Sequence, residues 1–244
     1  MTKLLPEINC DLGEGIPHEE KIFPWIDAAS IACGGHFGNE KTIEDSLALA
    51  LKYGVKVGAH PSYPDPENFG RLSMELPFED LANSLLSQIE KFQNLASKAG
   101  ISMDHIKFHG ALYNDAAKDP ALATKLSEFL FQNFPEIPVF VSPFSEMEKA
   151  AKKIGLKTRL EVFGDRTYQD NYLLAPRSHP KALLVEKEDI LNHITPILTE
   201  SQLVSSSGNK LPVFAETICF HGDNPGIQNF LPLIRQTYWE SKSN

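Results

Sequence analysis

Cysteine is scarce in this chain of 244 residues: Cys10, Cys33 and Cys219 are odd in number, scattered and without C-x-x-C spacing. That excludes a disulfide scaffold and suits a reducing cytoplasm. No run approaches the roughly 18 apolar residues that would make a membrane span. The opening stretch, MTKLLPEINCDLGEG, lacks the apolar core of a secretory signal, so a cytoplasmic location is expected. Positive charge is also in deficit. With 23 Lys and Arg against 32 Asp and Glu, the formal net charge is −9, which argues against a nucleic-acid partner, since neutralising phosphates needs a basic face. What is present is ordinary for a folded domain: 42% apolar and 23% charged residues.

Short apolar runs alternate with longer stretches of helical period, the pattern of a parallel sheet with helical crossovers. The runs predict strands near 7–11, 30–34, 55–59, 105–108, 138–142, 158–163 and 213–219. Between them, Asn39 is placed to cap a helix carrying Ile43, Leu47, Ala50 and Leu51 on one face. A second helix runs from Phe78 through Leu85 and Phe92 towards Gly100. Asp119-Pro120 starts a third, with Leu122, Leu126, Phe129 and Leu130 inward. Asn224-Pro225 is expected to open the last, burying Ile227, Phe230, Leu231 and Ile234. No linker or composition break divides the chain, so one hydrolase domain over residues 1–244 is expected. The fold class is α/β, a (β/α) barrel-like arrangement of seven strands, and the sequence leaves its closure open.

Polar residues collect at the ends of these strands. Asp11 and Glu14 follow the first, in NCDLGEG. His36 follows the second, His60 ends the third, and Lys107 and His109 lie at the end of the fourth. Glu161, Asp165 and Arg166 surround the sixth, and His221 with Asp223 ends the seventh. In parallel barrels the C-terminal strand ends share one face, so these residues are expected to converge. A single histidine is more often a packed structural group than a catalyst. Four at four strand ends, beside carboxylates, point to a shared site. The other histidines, His18, His105, His179 and His193, read as structural or solvated. The cysteines read as buried, inert thiols. The proline- and glycine-punctuated stretch 61–77 reads as a functional lid, with Arg71 its only cation and a carboxylate or phosphate its expected target. A helix starting at Asn224 would place its N-terminus, an anion-holding feature, beside His221.

Taken together, INCDLGEG, SIACGGHFGNEKT, GVKVGAHPSYPDPENFGR, HIKFHGALYN, EVFGDRTYQDNYLLAPRS and ETICFHGDNP resemble the LamB/YcsF family. Any one segment is weak; six in order from residue 8 to about 226 are specific. The resemblance implies a barrel like those of the glycoside hydrolases and deacetylases. It also implies ATP-dependent opening of 5-oxo-L-proline to L-glutamate, with 5-oxoprolinase subunits B and C as partners. ATP is then a co-substrate bound by those partners, in keeping with the lack of a GxxxxGK[ST] loop in this chain. On that reading Asp11, His60, Lys107, His109, His221 and Asp223 are the catalytic candidates, with His221 paired to Asp223 as the acid. Glu14, Arg71, Asp165 and Arg166 are the substrate-binding candidates. The departures from the family pattern are Gly35 for phenylalanine, Asn39 for aspartate, Phe108 for proline and Gly164 for alanine; Gly35 is expected to enlarge the pocket.

Two other functions compete. A self-sufficient metal hydrolase or deacetylase would use Asp11, His36 and His60 as one carboxylate and two imidazoles around a divalent ion with open positions for water. A non-catalytic subunit that only positions its partners would need none of the polar strand ends.

Overall fold

The computed structural model describes residues 5–176 and 178–240. Residues 1–4, at the head of the N-terminal stretch, Arg177 within EVFGDRTYQDNYLLAPRS, and residues 241–244 lie outside the described residues. Seven parallel strands close into a barrel: β1 (Glu7–Leu12), β2 (Ala28–Ala32), β3 (Lys56–His60), β4 (Met103–Ile106), β5 (Val139–Val141), β6 (Thr158–Phe163) and β9 (Thr217–His221). Closure comes from β9, which pairs with β6 (Phe163 beside Cys219) and with β1 (Asp11 beside His221). An antiparallel hairpin, β7 (Gln202–Val204) and β8 (Lys210–Pro212), interrupts the run before β9.

Helices α1 (Glu40–Tyr53), α2 (Phe78–Lys98), α3 (Gly110–Lys118), α4 (Pro120–Asn133), α5 (Glu146–Ile154), α6 (Lys187–Glu200) and α7 (Ile227–Ile234) accompany the barrel. Asn39 caps α1 through a capping box with Thr42. Asp119 caps α4, with Pro120 in its first turn. Side chains alternate across each strand. Ile8, Cys10 and Leu12, like Ile218 and Phe220, belong to the hydrophobic core. Their neighbours Asn9, Asp11, Thr217 and Cys219 take part in a second, polar set inside the barrel. Asn9 Nδ2 donates to Glu161 and to Thr217 at 3.0 and 2.6 Å.

Three strands differ from the sequence expectation by two or more residues at an end. β2 ends at Ala32 because Gly34, at φ +116°, leaves the ladder there. β4 ends at Ile106, yet Lys107 N still donates to Ala59 O at 3.0 Å and His109 N to Pro61 O at 2.8 Å, so the fourth segment keeps its alignment past the regular strand. The last barrel strand starts at Thr217; Phe214, counted in the expected strand, is 63% exposed. α7 starts two residues later than expected, at Ile227 with Gly226 and not Asn224 in the cap position. Asn224 Nδ2 is turned inward onto Asp165 and the Leu184 carbonyl at 3.0 and 2.8 Å, while its Oδ1 accepts from Gly226 N. Asn224 is therefore a brace, and the expected anion site at that helix start is not formed by it. Helices α3, α5 and α6 have no counterpart in the sequence expectation.

Candidate active site

Five segments end around one cavity of about 360 Å³, whose wall includes Asp11, Arg71, Lys107, His109, Tyr113, Phe163, Arg166 and His221. Its floor is a buried ion cluster. Lys107 Nζ lies 2.7 Å from Asp11 Oδ1, 3.0 Å from Glu161 Oε1 and 2.9 Å from Cys219 Sγ. All four residues are buried. Burial disfavours the ammonium, but Asp11, Cys219 and Glu161 outweigh it and hold the Lys107 pKa well above its ordinary value. Burial likewise opposes the Asp11 carboxylate, and Lys107, His60 and His221 hold its pKa down. Glu161 goes the other way: burial pushes its pKa up, since Lys107 is already shared with Asp11. Beside it, the buried Tyr113 phenol is pushed up by burial and by Glu161.

The second cluster adjoins the first. Glu14 Oε1 lies 2.9 Å from His36 Nε2, 3.2 Å from His109 Nδ1 and 3.9 Å from His60 Nε2. The His36 and His109 rings stack at 3.6 Å with an interplanar angle of 2°. Burial lowers the His60 pKa to about 3 and also lowers that of His36. Glu14, His36, His60 and His109 each offer a donor atom within 4.8 Å of the others, so this buried group could hold a metal ion. The expected set of Asp11, His36 and His60 is corrected accordingly. Both expected histidines are in the group, with Glu14 and His109; Asp11 stands beside it, Oδ1 on Lys107 and Oδ2 3.5 Å from His60 Nε2. Glu14, expected to bind substrate, is turned into these histidines.

Across the cavity, His221 Nδ1 bonds Asp165 Oδ1 at 2.9 Å, and the His221 amide donates to Asp165 Oδ2 at 3.0 Å. Burial alone would lower the His221 pKa; the Asp165 carboxylate more than reverses this and raises it. The expected pairing of His221 with Asp223 is thus corrected. Asp223 points outward and forms an ion pair with Arg71 Nη2, and both side chains are about one-third exposed. Asp165, expected to meet substrate, is fully buried beneath His221 and Asn224. Arg166, also expected to bind substrate, gives Nε to the Ala182 carbonyl and Nη2 to the Ala175 carbonyl, each at 2.9 Å. It ties Ala175 to Ala182 and meets the cavity only along its wall.

The 61–77 stretch sits over the histidines. The Phe69 carbonyl accepts from His109 Nε2 at 3.0 Å, and the Phe69 ring meets His36 and His109 edge-on at 5.1 and 5.5 Å. Phe69 adopts φ +55°, a conformation that bulky residues rarely take. Gly70 follows at φ +62°, where a Cβ would lie 2.9 Å from His36 Cβ. The remaining histidines serve elsewhere. His105 is buried between Ser30 and Asp104, His193 is tied to the Phe163 carbonyl, His18 faces Glu20, and exposed His179 accepts from Lys181 N. Cys10 and Cys33 are buried, and burial pushes the Cys33 thiol up to about 12. Cys219 is different, because it touches Lys107.

The comparisons with known proteins agree with this architecture. The family model described as LamB/YcsF family matches residues 6–243. The chain belongs to the LamB/YcsF family. One relative, the A subunit of the 5-oxoprolinase of Brevibacillus brevis, is 36% identical over 235 residues, covering 94% of this chain and 92% of that protein. The crystal structure of a lactam utilization protein from Thermus thermophilus superposes with a TM-score of 0.88 at 31% identity, covering 98% and 97% of the two chains. A putative cellobiose-phosphate cleavage protein from Enterococcus faecalis shares the fold, with a TM-score of 0.57 at 17% identity over 96% and 92%.

Two departures from the LamB/YcsF pattern now have a physical setting. A Cβ on Gly35 would lie 2.4 Å from both Gln88 Oε1 and Ser62 Oγ. Gln88 fills that space and brackets Ser62 through its amide and carbonyl, so Gly35 makes room for Gln88 and does not enlarge the cavity. Gly164 makes room for the Phe220 ring, 2.2 Å from where its Cβ would stand.

Proposed function

We propose that this chain is the hydrolytic component of a cytoplasmic, ATP-dependent 5-oxoprolinase. It opens the lactam of 5-oxo-L-proline to L-glutamate, while partner subunits B and C handle ATP. The observation that carries the reading is the pair of opposed devices on one cavity: a carboxylate whose charged form is favoured by Lys107 at 2.7 Å and an imidazole whose protonated form is favoured by Asp165 at 2.9 Å. Likeness to a 5-oxoprolinase component and to a lactam utilization protein supports the substrate class. Three buried free thiols and the lack, among the described residues, of any helix long and apolar enough to cross a membrane are compatible with the cytoplasm.

A lactam is a poor electrophile because amide resonance delocalises its nitrogen lone pair. Phosphorylation of the lactam oxygen by a partner makes the ring carbon attackable. Water then adds to that carbon, giving up a proton to a base on the Asp11, His60 and His109 side. The ring C–N bond breaks as His221 protonates the departing nitrogen. The acyl phosphate so formed is hydrolysed to the carboxylate and inorganic phosphate. Arg71, at the mouth, is free to exchange Asp223 for the substrate carboxylate or the phosphate. Lys107 is saturated by protein groups, so its part is to fix Asp11.

The reading is tested by measuring glutamate release from 5-oxoproline and ATP with the chain alone and with subunits B and C. Release only with all three subunits is expected; ATP turnover or ring opening by the chain alone defeats the division of labour. A second reading, a self-sufficient metal hydrolase, is favoured by the Glu14 and histidine group and predicts metal-dependent, ATP-independent turnover in the same assay.

Arg71→Ala is expected to raise KM roughly ten- to hundredfold, the loss of a charge-assisted hydrogen bond. Stability should change by less than about 1 kcal/mol, because the Arg71–Asp223 pair is partly exposed. Unchanged KM in steady-state kinetics would show that Arg71 serves only Asp223.

A further inference from the structure

The hydrogen bonds around His60 and His109 leave a proton unaccounted for. A backbone carbonyl cannot donate, so each ring nitrogen facing one carries the hydrogen. His60 Nδ1 faces the Lys107 carbonyl at 2.8 Å, and His109 Nε2 faces the Phe69 carbonyl at 3.0 Å. The other nitrogens, His60 Nε2 and His109 Nδ1, are therefore bare lone pairs when the rings are neutral. They stand 2.9 Å apart, directed at one another. Glu14 Oε1, an acceptor as a carboxylate, closes on the same point at 3.2 Å from His109 Nδ1. His36 Nε2 lies 2.9 Å from that oxygen, while buried His36 Nδ1 has no hydrogen-bond partner. The His60 and His109 lone pairs and the Glu14 carboxylate converge with no proton between them. His36 either donates its one proton from Nε2 to Glu14 or turns that nitrogen in as a third lone pair, and all four residues are buried.

We infer that Glu14, His36, His60 and His109 bind one divalent transition-metal ion. Three nitrogens and one oxygen suit zinc, manganese, iron or cobalt and disfavour calcium and magnesium, which prefer all-oxygen sites. Zinc bonds of roughly 2.0–2.1 Å to nitrogen and oxygen put the donors of a tetrahedron about 3.3 Å apart. Four of the six donor separations, 2.9, 2.9, 3.2 and 3.9 Å, bracket that value, and all six lie within 4.8 Å. The bonds from His60 and His109 to backbone carbonyls are the outer support that metal-bound histidines usually have. The donors come from the ends of β1, β2, β3 and β4 in order, so one ion ties four consecutive segments of the barrel. The site rests on lone-pair geometry and not on the ring-opening proposal; with the ion bound, His60 and His109 keep no free lone pair, and the base of that proposal is Asp11.

The test uses the full chain purified without a histidine tag or chelator. Elemental analysis is expected to find about one equivalent of a transition metal per chain. Glu14→Gln and His109→Gln should each lower that content at least tenfold, while His105→Gln, outside the group, leaves it unchanged. Because a variant can misfold, the wild-type chain is also stripped with chelator and titrated with cobalt(II). Saturable visible absorption at one equivalent, with a raised thermal midpoint, is the expected result. Wild-type protein with less than a tenth of an equivalent, no cobalt spectrum and no midpoint shift with zinc, manganese or cobalt overturns the proposal.

Discussion

Lys107→Met is expected to destabilise the chain by about 3–5 kcal/mol, the cost of breaking a buried ion pair by removing one partner. Lys107 is the cation that Asp11 and Glu161 share at 2.7 and 3.0 Å, and Asp11 is 4% exposed and Glu161 0%. Without it two carboxylates are left in the barrel interior, Glu161 with Asn9 at 3.0 Å and Asp11 with the His60 ring at 3.5 Å as polar neighbours. Glu161 can relieve part of this by holding a proton, because burial already pushes its pKa up. Glu161→Gln should therefore be mild alone and should recover part of the loss when combined with Lys107→Met. Urea unfolding of the two single variants and the double variant measures the coupling. Additive effects, or a Lys107→Met variant within about 1 kcal/mol of wild type, would mean that the ammonium is not the keystone of the cluster.

The second large effect concerns His221. His221→Gln keeps polarity and size but cannot carry the proton, so glutamate formation in the assembled enzyme should fall by roughly 10²–10⁴. The same substitution should change stability in a pH-dependent way. The folded-state pKa of His221 is raised by Asp165, against burial, above the unfolded value. A raised pKa means stabilisation that is fully present below the unfolded value, about 6.5, and is lost as pH rises through the folded value. Asp165, held low against burial mainly by His221, adds stability that disappears only in acid, as pH falls through its lowered pKa. Wild type and His221→Gln should thus differ most in thermal midpoint at about pH 5–6 and converge in the alkaline direction. A constant offset from pH 5 to 9, or unimpaired glutamate formation, removes His221 from the role of proton donor.

The barrel was legible because its apolar runs are short, separated by stretches of helical period and punctuated by glycine. Its closure was not, since closure depends on β9 reaching back to β1 across the β7–β8 hairpin, and no local pattern encodes that. Partner choice was the weakest part of the site reading. Asp223 is the nearest carboxylate to His221 in sequence, but Asp165 lies across the β6–β9 contact and meets its ring. Asn9 and Cys219 were missed although a signal existed. They stand two residues before Asp11 and His221, hence on the same inward side of their strands. Glu161 was named near the sixth strand without a role, and its meeting with Lys107 is a contact between strands that are not neighbours. Phe69 carried no signal, because its part depends on a left-handed backbone and a carbonyl.

The order of ring closure bears on how the chain is made. Until β9 leaves the ribosome, β1 and β6 both present unpaired edges, and an open edge is a template for association with another chain. Strands β1 to β6 can gather as synthesis proceeds, but the barrel remains a sheet with two raw borders until its final strand arrives. The pairing of Asp11 with His221 spans most of the sequence, so it is among the slowest contacts to find. A nascent or truncated product lacking β9 is therefore a candidate for aggregation and for chaperone capture, and ribosome stalling before Thr217 should enrich for both.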